Sequence, residues 1–267
     1  MRAEKPCTVS IPVVILCGGE GTRFREETQY RPKPLVPIGE YPILWHVMNI
    51  YAAQGFTDFI LCLGYKGSMI KEYFLTYEVM TRDFTLQLGD GTPQFSDDTF
   101  GLNWRITFAE TGLSTLTGAR LKRVEKYIKS EHFMVTYADG VADIDIRSLL
   151  ACHLAHGKIG TVTGVRPASQ FGEMGLEGSR VTRFSEKPQA VSLINGGFFV
   201  FRRDFFQYLD ATENCVLERE PLERLAAEEE LYAFPHKGFW QCLDTYKDQM
   251  FLNELWRSGH PPWSQKR

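Results

Sequence analysis

The stretch "IPVVILCGGEGTRFREET" (residues 11–28) joins an almost unbroken apolar run to a loop carrying three glycines and two arginines. A continuous run of Val, Ile and Leu reads as a strand of a parallel sheet, buried on both faces. The carboxyl end of such a strand is where open α/β sheets receive ligands. The dinucleotide fingerprint G-x-G-x-x-G is not met, because Gly19 and Gly21 fill its first two places but Phe24 stands in the third. Arg31-Pro32-Lys33-Pro34 also keeps the chain extended where that motif needs a helix. No Gly-Lys-Ser/Thr follows, so a P-loop is excluded. Two readings remain, a ligand-free turn or an anion cradle. The second draws on the exposed N–H groups of Gly18, Gly19 and Gly21, the Arg23 cation and Lys33 held between two prolines.

Outward from this stretch, apolar strands alternate with helical periodicity. "ILWHVMNIYAAQG" (43–55) places Ile43, Val47, Ile50 and Tyr51 on one helical face and stops at glycine. "DFILCLG" (58–64) reads as the next strand and "SMIKEYFLTYEV" (68–79) as the next helix. Strands follow at 104–110, 133–139, 160–165, 180–186 and 194–201, with helices at 119–130, 146–157 and 245–259. A βαβα opening predicts an α/β fold with a mixed, mainly parallel sheet flanked by helices. Residues 81–101 are polar and turn-rich, which predicts a hairpin excursion or a lid. No linker divides the chain, so residues 1–267 read as one domain.

The balance of 30 basic and 33 acidic residues lacks the positive field that nucleic acid or an anionic membrane selects. No apolar stretch approaches the roughly 20 residues that span a bilayer, and the first ten residues lack the apolar core of a signal peptide. The six cysteines (Cys7, Cys17, Cys62, Cys152, Cys215 and Cys242) form no C-x-x-C pair. A cytoplasmic protein with reduced thiols is the expectation.

The run "GGEGTRFREETQYRPKPLVPIGEYPIL" resembles the signature of the sugar-1-phosphate nucleotidyltransferases. "ETGLSTLTGARLKRV", "TYADGVADIDI", "FSEKP", "INGGFFV" and "GFWQCLDTYKD" are similar, segment for segment and in order, to the branch of that family that uses CTP. The tail Glu26–Thr28 belongs to the same match. The resemblance covers residues 11–263 and implies a Rossmann-like nucleotide-diphospho-sugar transferase fold. Residues 11–145 would then serve mainly the nucleotide and 146–263 mainly the sugar phosphate. The implied reaction is transfer of a cytidylyl group from CTP to α-D-glucose 1-phosphate, giving CDP-glucose and pyrophosphate with Mg²⁺.

By the same resemblance, Gly18, Gly19, Gly21 and Thr22 surround the nucleotide, Arg23 contacts the departing β/γ phosphates and Lys33 the α-phosphate. Thr117, Gly118 and Arg120 lie near the base. Asp139 and Asp244 hold Mg²⁺, an ion that takes one or two carboxylates alongside phosphates and waters. Lys187 contacts the sugar's phosphate, Glu186 and Asn195 the hexose hydroxyls, and Gly196 lets the ring approach the backbone. Members assemble as homo-oligomers, up to hexamers. Departures from the usual residues fall at Cys17, Glu110, Ala119, Ala138 and over 167–179, near the sugar side. The rivals are a dTDP-, UDP- or GDP-sugar pyrophosphorylase of the same fold, or a non-catalytic sugar-nucleotide-binding module. The joint presence of Arg23, Lys33, Asp139, Lys187 and Asp244 speaks against the last. Asp143 and Asp145 read as turn or cap residues, and His153 and His156 as helix surface and core edge.

Overall fold

The computed structural model describes residues 11–89, 91–96, 102–167, 173–185 and 192–264. The strands of its central sheet, in chain order, are β1 (Val13–Leu16), β2 (Asp58–Leu63), β3 (Arg105–Glu110), β4 (His132–Tyr137), β5 (Gly160–Val165), β6 (Ile194–Arg202) and β7 (Leu231–Pro235). They lie in the order β7-β5-β6-β4-β1-β2-β3. Strand β6 runs antiparallel to both its neighbours, and every other pairing in the sheet is parallel. The expected mixed, mainly parallel sheet is therefore present. One sheet runs through both halves of the chain.

Strand β1 lies at the centre of the parallel group, and all four of its residues are buried, as its unbroken apolar run requires. Helix α1 (Ile43–Ala52) follows Pro42, whose fixed φ suits the start of a helix. Its buried Ile43, Leu44, Val47, Met48 and Tyr51 pack in the core on one face of the sheet. Each such side chain contributes about 1.5–3 kcal/mol on burial. Gln54, just beyond α1, is 7% exposed and donates to Ile50 O and Ile144 O while accepting from the Ile146 amide. It thereby ties α1 to α4 (Ile146–His156), which Asp145 caps by accepting from the Ser148 amide at 2.8 Å.

The predicted helix over 68–79 is two pieces, α2 (Gly67–Leu75) and a short turn of helix at Tyr77–Thr81. Thr76 lies at the break, where its hydroxyl donates to Glu72 O at 2.7 Å, a back-bond that bends helices. The helix expected at 119–130 is α3 (Thr117–Arg123), followed by a 3₁₀ turn at Glu125–Tyr127. Elements outside the sequence reading include α5 (Glu220–Ala227), edge strand β7 and the short strands Gly140–Ala142 and Trp240–Cys242. Pro221 in the first turn of α5 was the available signal. The chain closes with α6 (Tyr246–Arg257), started by a Thr245/Asp248 capping box. Within 81–101 the described residues form the expected hairpin, Phe84–Leu86 against Pro93–Phe95.

Of the His153 and His156 pair, expected at helix surface and core edge, His153 is the one turned into the core. It is fully buried, and His132 supplies a third imidazole beside His153 and His156. Asp143 faces His236 at 2.9 Å. Among the described residues, no helix is long and apolar enough to cross a membrane. The described cysteines are all free.

Candidate active site

The four parallel strands β1 to β4 end along one edge of the sheet, and each delivers residues to the same place. Gly18 follows β1, Gly64 follows β2, Thr111 follows β3 and Asp139 follows β4. Because β6 runs the opposite way, its first residues, including Asn195, reach that edge too.

The loop after β1 is held by long-range hydrogen bonds. Gly18 O accepts from Tyr65 N at 3.2 Å and from Arg120 Nη2 at 2.9 Å. Gly21 sits at φ +63, where glycine is preferred, and the Thr28 hydroxyl donates to its carbonyl at 3.1 Å. The chain then enters a 3₁₀ turn (Thr22–Phe24) and one turn of α-helix (Arg25–Thr28) before Pro32 extends it. Gly19 is exposed and a Cβ there would meet nothing within 4 Å. Gly18 differs, since a Cβ there would lie 2.1 Å from Arg120 Nη1. The first glycine makes room for an arginine.

Arg120, expected near the base, is 4% exposed and bound to the protein itself. Nη1 donates to Leu63 O, Thr111 Oγ1 and Gly112 O at 2.7–3.0 Å, and Nη2 donates to Gly18 O and Leu113 O. Its planar fork thus braces the loops after β1, β2 and β3. Thr117 is similarly committed. Its hydroxyl donates to Glu218 Oε2 at 2.7 Å and accepts from Leu217 N at 3.0 Å. A Cβ on Gly118 would lie 2.6 Å from Cys215 Sγ and 3.0 Å from Leu217 N, so its bare backbone lets α3 pack against residues 215–217.

Lys33 and the two aspartates converge. Lys33 is 9% exposed, and its Nζ donates to Asp139 Oδ2 and Asp244 Oδ1, both at 2.6 Å. Arg23 Nη1 bonds the other oxygen of Asp244 at 2.8 Å, with its own side chain 76% exposed. Burial alone would lower the Lys33 pKa. The Asp139 charge and the hydrogen bonds that the ammonium donates to both carboxylates outweigh it, and the ammonium is held above its usual value.

The aspartates meet because Trp240–Cys242 pairs antiparallel with Gly140–Ala142, setting Cys242 opposite Gly140 just past Asp139. The Leu243 amide donates to Asp139 O at 2.8 Å, and Asp248 Oδ2 accepts from the Asp244 amide at 3.1 Å. One oxygen of each aspartate and Cys242 Sγ lie within 4.8 Å of one another. Burial and then the Asp139 charge keep that thiol well above its usual pKa. Two carboxylates already converging on one positive atom fit a hard divalent cation such as Mg²⁺.

Two cavities adjoin here. One of about 310 Å³ is lined by Gly18, Gly19, Gly21, Lys33, Thr115 and Thr117. The other, about 320 Å³, is lined by Asn195, Gly196, Glu218, Trp240, Cys242 and Asp244, and the two share Arg23, Tyr137 and Asp139. A larger cavity of about 690 Å³, between Lys122 and Arg224, contains none of the lysine and aspartate cluster. Gly196 has a packing reason of its own, since a Cβ there would lie 2.7 Å from Val165 Cγ1. Its carbonyl accepts from Trp240 Nε1 at 2.8 Å. Glu186 and Lys187 lie outside the described residues. Sequence reading passed over Tyr137, Trp240 and Cys242, for which only chain proximity to Asp139 or Asp244 gave any signal, and Glu218, for which there was none.

A glycine loop at the carboxyl edge of a mainly parallel sheet, with a lysine, an arginine and paired aspartates facing it, defines a phosphate-handling transferase site. The chain belongs to the nucleotidyl transferase family, whose sequence profile matches residues 12–253. It is 45% identical over 252 residues to the glucose-1-phosphate cytidylyltransferase of Salmonella typhi, covering 94% of this chain and 97% of that protein. It is 46% identical over 250 residues to the probable glucose-1-phosphate cytidylyltransferase of Bacillus subtilis (strain 168), covering 94% and 98%. Among solved structures it is similar in fold to HddC from Yersinia pseudotuberculosis, with a TM-score of 0.68, 22% identity and coverage of 92% and 99%.

Proposed function

We propose that the chain transfers a cytidylyl group from CTP to α-D-glucose 1-phosphate, releasing CDP-glucose and pyrophosphate. The observation that supports this most is 45% identity, over nearly the full length of both chains, to glucose-1-phosphate cytidylyltransferase. The convergence of Lys33, Arg23, Asp139 and Asp244 on one edge agrees with it.

In the reaction an oxygen of the sugar phosphate forms a bond to the α-phosphorus of CTP. The bond from that phosphorus to the α,β-bridging oxygen breaks in line, and pyrophosphate leaves with the electron pair. An anion thus approaches a polyanion, and the site must offset their repulsion. In this reading Gly18, Gly19, Gly21 and Thr22 line the nucleotide, with Thr117, Gly118 and Arg120 forming and bracing the wall beside it. Lys33 is directed at the α-phosphate and the exposed Arg23 at the departing pyrophosphate, where one preorganised donor is worth a few kcal/mol. Asp139 and Asp244 hold Mg²⁺, which when bound supplies positive charge to the phosphate oxygens. Asn195 and Gly196 serve the hexose, and by the family resemblance Glu186 contacts its hydroxyls and Lys187 its phosphate. Residues 11–145 then carry mainly the nucleotide and 146–263 mainly the sugar phosphate. Homo-oligomeric assembly and a cytoplasmic location belong to the same reading.

The test is pyrophosphate release from a matrix of nucleoside triphosphates and hexose 1-phosphates, with and without chelator. The expected result is fastest turnover with CTP and α-D-glucose 1-phosphate, abolished by EDTA and restored by Mg²⁺. Faster turnover with UTP or dTTP would overturn the cytidylyl assignment. Turnover unaffected by chelator would remove the metal role of the two aspartates.

A further inference from the structure

Glu218 lines the second cavity and is hydrogen-bonded to Thr117 and Tyr137, which line the first. Its Oε2 accepts from the Thr117 hydroxyl at 2.7 Å on the glycine-loop side. Its Oε1 accepts from the Tyr137 hydroxyl, whose ring forms part of the wall the cavities share. Tyr137 Oη in turn accepts from Asn195 Nδ2 at 3.2 Å, and Asn195 Oδ1 accepts from the Gly197 amide at 2.9 Å.

The direction of every hydrogen in this chain is determined. A backbone N–H can only donate, so the atom facing Gly197 is the amide oxygen of Asn195, and its nitrogen faces Tyr137. A carboxylate can only accept, so Tyr137 and Thr117 both donate to Glu218. The Thr117 hydroxyl accepts from Leu217 N and gives its single hydrogen to Glu218 Oε2. Asn195 is left with one N–H that has no partner among the described residues, on a side chain that lines the second cavity. The position of that N–H follows from Glu218 through Tyr137. Gly197, at φ +81, keeps the approach open, since a Cβ there would lie 2.4 Å from the Tyr137 ring.

We infer that Glu218 is a positioning residue for the sugar: through Tyr137 it aims the free Asn195 N–H at a hydroxyl oxygen of the hexose. Through Thr117 it ties that aim to the wall of the nucleotide cavity. This rests on the cytidylyl-transfer reading of the site, and it adds a carboxylate and a phenol that never touch the reacting phosphates.

The experiment is steady-state kinetics of Glu218→Gln, Tyr137→Phe and the double variant, with KM measured separately for CTP and α-D-glucose 1-phosphate. Thermal melts with and without the sugar phosphate accompany it. Tyr137→Phe removes both bonds made through the phenol, and Glu218→Gln exchanges one of two accepting oxygens for a donor, so each raises KM for the sugar phosphate roughly five- to tenfold. The double variant is no worse than the weaker-binding single one, because both act through the same amide. In Tyr137→Phe, which leaves the Glu218–Thr117 bond in place, KM for CTP stays within about twofold. Single variants that match wild-type KM for the sugar phosphate, effects that multiply in the double variant, or equal effects on both substrates would each overturn the inference while wild-type turnover leaves the functional reading standing. Wild type that neither turns over nor is stabilised by the sugar phosphate would overturn both.

Discussion

Lys33 and Asp139, 106 positions apart in the chain, are joined by a 2.6 Å hydrogen bond whose nitrogen also reaches Asp244 at 2.6 Å. The lysine is therefore charged and held in place, and both carboxylates are aimed at one point. Removing the ammonium would, in the proposed reaction, cost a transition-state contact, and it leaves two carboxylates facing each other. Lys33→Ala is expected to lower kcat by about 100-fold or more, and Asp139→Asn by a similar factor. Stopped-assay pyrophosphate release checks both, and wild-type rates in either variant would remove that residue from the mechanism.

The two adjacent glycines of the loop have different jobs. Gly18→Ala drives a methyl into the Arg120 guanidinium and is expected to lower the melting temperature by several degrees. Gly19→Ala projects into open space and is expected to leave the melting temperature unchanged while raising KM for CTP. Equal melting shifts in the two variants would contradict this assignment.

Arg120 is a brace with five acceptors, of which Gly18 O and Leu63 O also accept from Tyr65 N and from Thr111. Lysine carries one nitrogen where arginine carries a fork, so Arg120→Lys gives up most of these bonds, those to Gly112 O and Leu113 O among them. A loss of about 2–4 kcal/mol in unfolding free energy is expected from denaturant titration.

His153 and His46 are buried in their neutral forms. His153 is pushed down to about 3 by burial and then by His132 and His156, and His46 to about 4 by burial. His46 donates from Nε2 to Ile38 O at 2.9 Å and accepts from Trp263 at Nδ1, which fixes its neutral tautomer. Between these values and the unfolded value near 6.5 the unfolded chain binds more protons, so stability falls with acid. From pH 6.5 to 5 each histidine contributes a slope approaching about 1.4 kcal/mol per pH unit. Chemical denaturation across that range checks it, with His153→Gln reducing the slope, and a flat profile would exclude the prediction.

Much of the fold was legible because its signals are local. β1, β2 and β4 are unbroken apolar runs, α1 shows helical periodicity ahead of Gly55, and Asp145 precedes its helix as a cap residue does. Strand β7, "LYAFP", escaped because an edge strand with half-exposed residues lacks that run. Of the candidate site, the glycine loop and the proline-flanked lysine were visible as chemistry. Glu218 was not, since nothing in "NCVLEREPL" distinguishes it from the surface carboxylates around it.

By itself the sequence determined the strand that ends in a glycine loop, the restrained backbone around Lys33 and the family these motifs mark. Those features depend on residues within a turn or two of each other, where φ/ψ restriction and periodic burial act directly. Tertiary structure alone decided that Asp244 meets Asp139, through the pairing of Cys242 with Gly140, and that Glu218 reaches both Thr117 and Tyr137. It also decided that Gly18 is glycine for the sake of an arginine 102 positions away. Such contacts are set by the register of distant strands, which the sheet fixes only once its whole core is assembled.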